Sequence, residues 1–264
     1  VEGVLALVDE HRPLHLSLVG GDPLVRHREV TQLLPQLEAR GIYVQIVTSA
    51  FRPIPEEWSR IQHLSMVVSI DGLQPEHDAR RKPATYARIL ESIRDHHVTV
   101  HCTITSQMMK RERYLQDFVE FWSARPEIKK IWMSMFTPQI GATDPEILTY
   151  EERVQAVEEL RRIRVLYPKL DMPEALIMEF LHPPVSPQAC IFAQTTHTIS
   201  ADLKSRVTPC QFGGNPDCSQ CGCVASMGLA AVGNFKLGLG VTAGQVYRAS
   251  TSVSQAVRKW KRAA

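Results

Sequence analysis

The chain has 264 residues, 44% of them hydrophobic and 22% charged, with a formal net charge of +2 at pH 7. Such a composition belongs to a globular protein long enough to bury a core without cross-links. No apolar run approaches the ~20 residues of a membrane span, and so small a charge points to no nucleic-acid partner. Nothing marks export, which makes a reducing cytoplasm the expected setting. Val1 already lies in a helical pattern, with neither an initiator Met nor a signal-peptide pattern before it, so a fragment beginning inside a domain is expected.

From residue 1 to about 167, helical and strand patterns alternate with short turns, the signature of repeated βα units and a parallel sheet. A helix is expected at 1–10 on Val4, Leu5 and Val8, then a strand at 14–19 ending in Gly20-Gly21. Residues 29–40 form a helix with Val30, Leu33, Leu34 and Leu37 on one face, closed by Gly41. A strand at 43–48, a short helix at 55–63 opened by Pro55, a strand at 64–70 stopped by Asp71-Gly72 and a helix at 85–96 follow. Val98, Val100, Cys102 and Ile104 then alternate with Thr99, His101, Thr103 and Thr105, giving a strand with one apolar and one polar face. In a barrel the polar face would line the lumen. A helix at 112–124 and a strand at 128–136 precede a long helix. Its capping box is Thr149 and Glu152, and its buried stripe is Val154, Val157, Leu160, Ile163 and Leu166.

Five strands, each followed by a helix, with one helix in front, describe an α/β fold: a partial (β/α)6 barrel of the TIM type lacking its first strand. His182-Pro-Pro-Val-Ser-Pro187 is a stiff break. It divides the barrel, 1–181, from a small Cys-rich domain, 182–225, and a segment at 226–264 with a Gly-rich stretch and a short helix near 251–261.

Cys190, Cys210, Cys218, Cys221 and Cys223 are five of the six cysteines and fall in one short stretch. Thiolates gathered this densely bind metal or form disulfides, and in a reducing compartment metal is the commoner outcome. Four suffice for one cubane iron–sulfur cluster, and zinc accepts the same four-thiolate cage at nearly the same spacings. Cys102 stands apart as a buried core residue. His11, His15, His27 and His197 show no metal spacing with one another, and His101 reads as a hydrogen-bonded interior histidine that could reach substrate.

Gly20-Gly21-Asp22-Pro23-Leu24 directly follows a strand. Paired glycines let the backbone approach a ligand closely, and an acid at a strand's carboxyl end can accept hydrogen bonds from an ammonium. Ser69-Ile70-Asp71-Gly72 ends a later strand, so both turns open on the rim where barrels place their sites. Thr48-Ser49-Ala50 lies between them, and Glu76-His77-Asp78-Ala79-Arg80-Arg81 follows. In order and spacing these motifs resemble radical SAM enzymes, in particular those with a C-terminal SPASM or shorter twitch domain. Gly20-Gly21-Asp22-Pro23 is similar to the family's Gly-Gly-Glu-Pro with Asp for Glu. Thr48-Ser49-Ala50 stands where Thr-Asn-Gly is usual, and Ser69-Ile70-Asp71-Gly72 is similar to Ser-Leu-Asp-Gly. Cys190 is separated from Ser205 by fourteen residues and Ser205 from Cys210 by four. That spacing resembles the SPASM opening Cys-x9-15-Gly-x4-Cys with Ser for Gly, with a hairpin at 198–207.

The resemblance implies S-adenosylmethionine at the barrel mouth, its amino group held by Gly20, Gly21 and Asp22, with Pro23 and Thr48 alongside. Ser69 and Asp71 would meet its ribose or carboxylate. It also implies one auxiliary 4Fe-4S cluster on Cys190, Cys210, Cys218 and one of Cys221 or Cys223. The family's Cys-x3-Cys-x2-Cys loop, which holds the 4Fe-4S cluster that chelates S-adenosylmethionine, is not in these residues. The fragment alone is therefore expected to be inactive, and no residue in it is assigned a catalytic role. The complete enzyme would take an electron from a donor such as flavodoxin or ferredoxin and cleave S-adenosylmethionine to methionine and a 5'-deoxyadenosyl radical. Its substrate, a small molecule, a lipid precursor or a peptide, is not readable. The rival reading is a non-catalytic binding or scaffold protein with a degenerate barrel and a structural zinc site. A phosphate-binding enzyme is opposed by the lack of a complete Gly-x-Gly-x-x-Gly turn or a Lys-Ser/Thr pair.

Overall fold

Helix α1 (Glu2–His11) leads into strand β1 (His15–Leu18) in a computed structural model that describes residues 1–238, 240–247 and 249. Each later strand is reached through helical turns. Helix α2 (His27–Glu38) precedes β2 (Tyr43–Thr48), and a single 3-10 turn at Glu56–Arg60 precedes β3 (Leu64–Ser69). Helices α3 (Glu76–Arg81) and α4 (Tyr86–Ser92) precede β4 (Val98–Ile104), while α5 (Ser106–Met109) and α6 (Tyr114–Ser123) precede β5 (Ile128–Met135). All five strands pair in parallel in the order β1-β2-β3-β4-β5. An order that never reverses is that of a singly wound sheet, the arc of a βα barrel, whereas a doubly wound sheet reverses at a switch point. The α/β class and the partial barrel expected from the alternation are what the chain forms.

The register carries the alternation across the sheet. Ser17 pairs with Gln45, Gln45 with Ser65, Ser69 with His101, His101 with Trp132 and Thr103 with Ser134, so the polar positions share one face. On the other face Ile46, Val68, Val100, Cys102, Ile131 and Met133 are buried with Leu34 and Leu37 of α2, Ile89 of α4 and Phe118 and Trp122 of α6. Each such side chain contributes ~1.5–3 kcal/mol when removed from water. Cys102 is a core residue, as its strand pattern suggests.

Helix α7 (Tyr150–Leu166) has both halves of its capping box. Glu152 N donates to Thr149 Oγ1 at 3.2 Å and Thr149 N donates to Glu152 Oε2 at 2.9 Å. Its buried stripe departs from expectation. Arg153, Ala156, Val157, Leu160 and Ile163 are buried, whereas Leu166 is 57% exposed because the last turn runs past the core.

Beyond α8 (Glu174–Glu179) and α9 (Ile191–Thr195), β6 (Thr198–Ile199) and β7 (Arg206–Val207) form the expected antiparallel hairpin. Its turn is held by Asp202, whose Oδ1 accepts from Lys204 N and Ser205 N. A 3-10 turn at Cys218–Gln220 precedes α10 (Val224–Asn234), and a last hairpin joins β8 (Lys236–Gly238) to β9 (Val241–Thr242). Helix α10 packs on α8, α9 and β5, and it crosses the expected 225/226 boundary where composition suggests only a Gly-rich stretch. The helix expected near 251–261 lies outside the described residues. Among those described, no helix is long and apolar enough to cross a membrane.

Candidate functional site

The carboxyl ends of the five strands form one rim, and the Gly20-Gly21 turn leaves β1 there. Gly20 and Gly21 take φ +80° and +55°, and a Cβ at either would meet nothing within 4 Å. These glycines therefore serve the backbone conformation and face open space. Their backbone groups make no hydrogen bond among the described residues, so both amides and carbonyls are free for a ligand.

Asp22 does not present its carboxylate in the same way. Oδ1 accepts from Leu24 N at 3.0 Å and Thr48 Oγ1 at 2.7 Å; Oδ2 accepts from Ser49 N at 2.8 Å and Ser49 Oγ at 2.5 Å. Four donors fill the ordinary capacity of a carboxylate. The expected free acceptor is thus a clip that caps the 3-10 turn Pro23–Arg26 and ties it to the end of β2. Thr48 is 2% exposed and Pro23 is buried, so neither offers its side chain to a cofactor. Ser49, part of the Thr48-Ser49-Ala50 segment but not among the expected cofactor contacts, supplies half of the clip.

At the end of β3, Ser69 is half-buried on the polar face beside His101. The Asp71 carboxylate accepts from Arg81 Nε at 2.6 Å and Arg81 Nη2 at 3.0 Å, and Arg80 Nε lies 3.2 Å away. Arg80 also forks onto Glu146. The turn itself is locked from below. Asp71 N donates to His77 Nδ1 at 2.9 Å, His77 Nε2 donates to Ala84 O at 2.9 Å, and burial lowers the histidine pKa, consistent with this neutral tautomer. Tyr86 Oη donates to Gly72 O at 2.6 Å and Leu73 N donates to Tyr114 Oη at 2.7 Å. At Gly72, with φ +107°, a Cβ would overlap the Tyr114 hydroxyl, so only glycine fits. Glu146, Tyr86 and Tyr114 act on this turn from distant elements, which no local pattern reveals.

All five clustered cysteines line one cavity, together with Thr137, Phe192 and Phe212. The loop carrying three of them docks on the carboxyl end of β5. Met135 N donates to Gly222 O at 2.8 Å, and Gly222 N donates to Thr137 Oγ1 at 2.8 Å. Cys223 is the N-cap of α10, and Gln211 Nε2 donates to its Sγ at 3.1 Å. Cys190 Sγ lies 3.1 Å from Ser226 Oγ. Burial pushes the Cys223 thiol up to about 12 and raises Cys218 and Cys221, so a bound cation is needed to hold these groups as thiolates. Among the described residues no three Cys, His, Asp or Glu side chains converge on a single-ion site. Four sulfurs around one zinc stand ~3.8 Å apart, given Zn–S distances of ~2.3 Å, whereas a cubane spreads its thiolates wider. The five thiols that line the cavity suffice in number for either cage.

Ser134, on the polar face of β5, joins the lumen to this region. Val224 N donates to its Oγ at 3.2 Å, and the same Oγ lies 2.8 Å from His101 Nε2. The Ser134 oxygen accepts from Val224 and keeps a second lone pair, so its bond to His101 is compatible with either neutral tautomer of the imidazole. Burial pushes the His101 pKa down to about 4, from 6.5. The unfolded chain therefore binds the extra proton between these values. This group's contribution is fully present above pH 6.5 and is lost as pH falls toward 4, up to about 3 kcal/mol at 1.36 kcal/mol per unit. Denaturant unfolding from pH 7 to 4 is expected to show a steeper loss in the parent protein than in His101→Gln. The His11 and His197 rings meet edge to face at 5.2 Å, a contact between α1 and the residue before β6.

No family model and no curated protein matches the chain. Three solved structures are similar in outline. SuiB from Streptococcus suis aligns with a TM-score of 0.49 and 16% identity over 64% of this chain and 40% of its own. Native anSMEcpe, with bound AdoMet and the Cp18Cys peptide, gives 0.48 and 14% over 59% and 48%. A histidine-tagged anSMEcpe with bound AdoMet gives 0.48 and 14% over 59% and 46%. The chain spans less than half the length of each. At such values no ligand carries over from them.

Proposed function

We propose that the protein is a radical SAM enzyme, holding S-adenosylmethionine on the rim of its partial barrel and one auxiliary 4Fe-4S cluster in the five-cysteine cavity. The observation that carries this reading is the docking of Cys221-Gly222-Cys223 on the end of β5, on the same rim as the Gly20-Gly21 turn. In a complete enzyme that also carries the Cys-x3-Cys-x2-Cys cluster, S-adenosylmethionine bound there and reduced by one electron, from a donor such as flavodoxin or ferredoxin, would supply methionine and a 5'-deoxyadenosyl radical. The unbonded carbonyls of Gly20 and Gly21 accept from its ammonium, while Asp22 and Ser49 hold that turn in place without touching it. Ser69 contacts the cofactor from the end of β3, and Asp71 acts through Arg80 and Arg81. The polar face, with neutral His101, receives the substrate, a small molecule, lipid precursor or peptide. Cys190, Cys210 and Cys218 with Cys221 or Cys223 hold the cluster.

Anaerobic reconstitution with iron and sulfide tests the reading. About four iron and four sulfide per chain, with a broad visible charge-transfer absorption, are expected. One zinc in colourless protein would establish the scaffold reading instead.

A further inference from the structure

Arg153 occupies a place in α7 that an aliphatic side chain would fill at less cost. It is 6% exposed and belongs to the stripe formed by Val157 and Leu160. Nη1 donates to Phe180 O and Cys221 O, both at 3.1 Å, and Nη2 donates to Gln220 O at 2.7 Å. Carbonyls satisfy its hydrogen bonds but leave its charge uncompensated, and among the described residues no carboxylate pairs with it. Asp217, the acid nearest in effect, already accepts from Ser219 N, Ser219 Oγ and Gln220 Nε2. A buried cation without an anion is among the costliest arrangements in a protein interior. Two of its three acceptors are the backbone of the cysteine loop itself, and one belongs to Cys221.

We propose that Arg153 is the charge partner of the auxiliary cluster, a positioning residue that fixes the Cys218 to Cys223 loop and favours the reduced state. The inference rests on the cluster reading above. A cubane held by four thiolates carries a net charge of 2−, and one electron from dithionite takes it to 3−. A nearby guanidinium stabilises the second state more than the first. Removing the charge therefore lowers the midpoint potential, and Arg153→Lys keeps the charge while losing the planar fork.

The test is potentiometry of the reconstituted protein with dithionite as reductant, read by the electron paramagnetic resonance of the reduced cluster, beside iron analysis of each variant. Arg153→Gln is expected to retain iron and to reduce with a tenfold smaller equilibrium constant, a midpoint 59 mV lower for one electron. Arg153→Lys is expected to stay within threefold of the parent. Loss of iron from Arg153→Gln that Arg153→Lys restores also supports a requirement for the charge. An unchanged midpoint in Arg153→Gln, an equal fall in both variants or equal loss of iron from both overturns the proposal. Failure of the parent protein to take up iron and sulfide overturns the cluster reading itself, and that is seen before any variant is made.

Discussion

Gly222→Ala is expected to detach the cysteine loop from the barrel and to abolish metal binding while the sheet stays folded. A Cβ at this position would overlap the carbonyl carbon and oxygen of Met135 and lie 2.6 Å from Met135 Cβ. The obstruction is backbone in the last residue of β5, which is paired to Ile104 of β4, so no rotamer change relieves it. Either β5 shifts or the loop leaves. Leaving forfeits the bonds of Gly222 to Met135 N and Thr137 Oγ1 and frees the Gln220 and Cys221 carbonyls from Arg153. Overpacking costs ~1–3 kcal/mol, and each hydrogen bond ~0.5–1.5 kcal/mol net, which together set an expected loss of about 4 kcal/mol for the docked state. Bound iron after reconstitution and protease sensitivity of the loop measure it. Gly228→Ala is the control within the same region. It lies inside α10, its Cβ would meet only Leu176 Cδ1 at 3.5 Å, and it is expected to keep the metal and gain ~0.5–1 kcal/mol. Retained metal in Gly222→Ala would mean that docking on β5 does not build the site.

The strands were legible because their two faces differ chemically. Thr99, His101 and Thr103 against Val98, Val100 and Cys102 state both the period and the buried side, and the register of the sheet follows the same parity. Helices whose contrast is blurred were not legible. Helix α10 is apolar or small nearly all round, since it packs against α8, α9 and β5, and a helix buried on several sides shows no stripe. Helices α3 and α5, of six and four residues, are too short for any period to emerge. Arg153 was hidden by its charge. It stands four residues before Val157 and seven before Leu160, squarely on the apolar stripe, and that position is the one signal that could have marked it. The cysteine spacing indicates a shared site but not where it docks. The docking depends on Gly222 meeting a strand end 87 residues earlier in the chain, the separation from Met135. Likewise, Asp22 reads as a ligand acceptor when only its neighbours in sequence are considered. Its actual partners, Thr48 and Ser49, come from the next strand.

Asp22→Ala is expected to lower stability by roughly 3 kcal/mol and to weaken S-adenosylmethionine binding at least tenfold in the complete enzyme, leaving the metal at Cys190 to Cys223 in place. Each hydrogen bond to a charged acceptor is worth ~1.5–3 kcal/mol, but the four here are partly exposed and share two oxygens, so they do not sum. Without the carboxylate, Leu24 N and Ser49 N lose their acceptor and the Gly20-Gly21 turn is no longer held to β2. Affinity then falls because the free carbonyls of the two glycines must be ordered at the moment of binding rather than beforehand. Asp22→Glu separates a clip from a direct ligand. One more methylene cannot satisfy Thr48, Ser49 and Leu24 in the present geometry, so a clip predicts lower stability and weaker binding in this variant too. A residue that meets the ammonium directly or through water would bind as tightly or tighter when lengthened. Calorimetric binding and thermal denaturation of the two variants decide between these. Unchanged affinity in Asp22→Ala would remove the cofactor from this turn altogether.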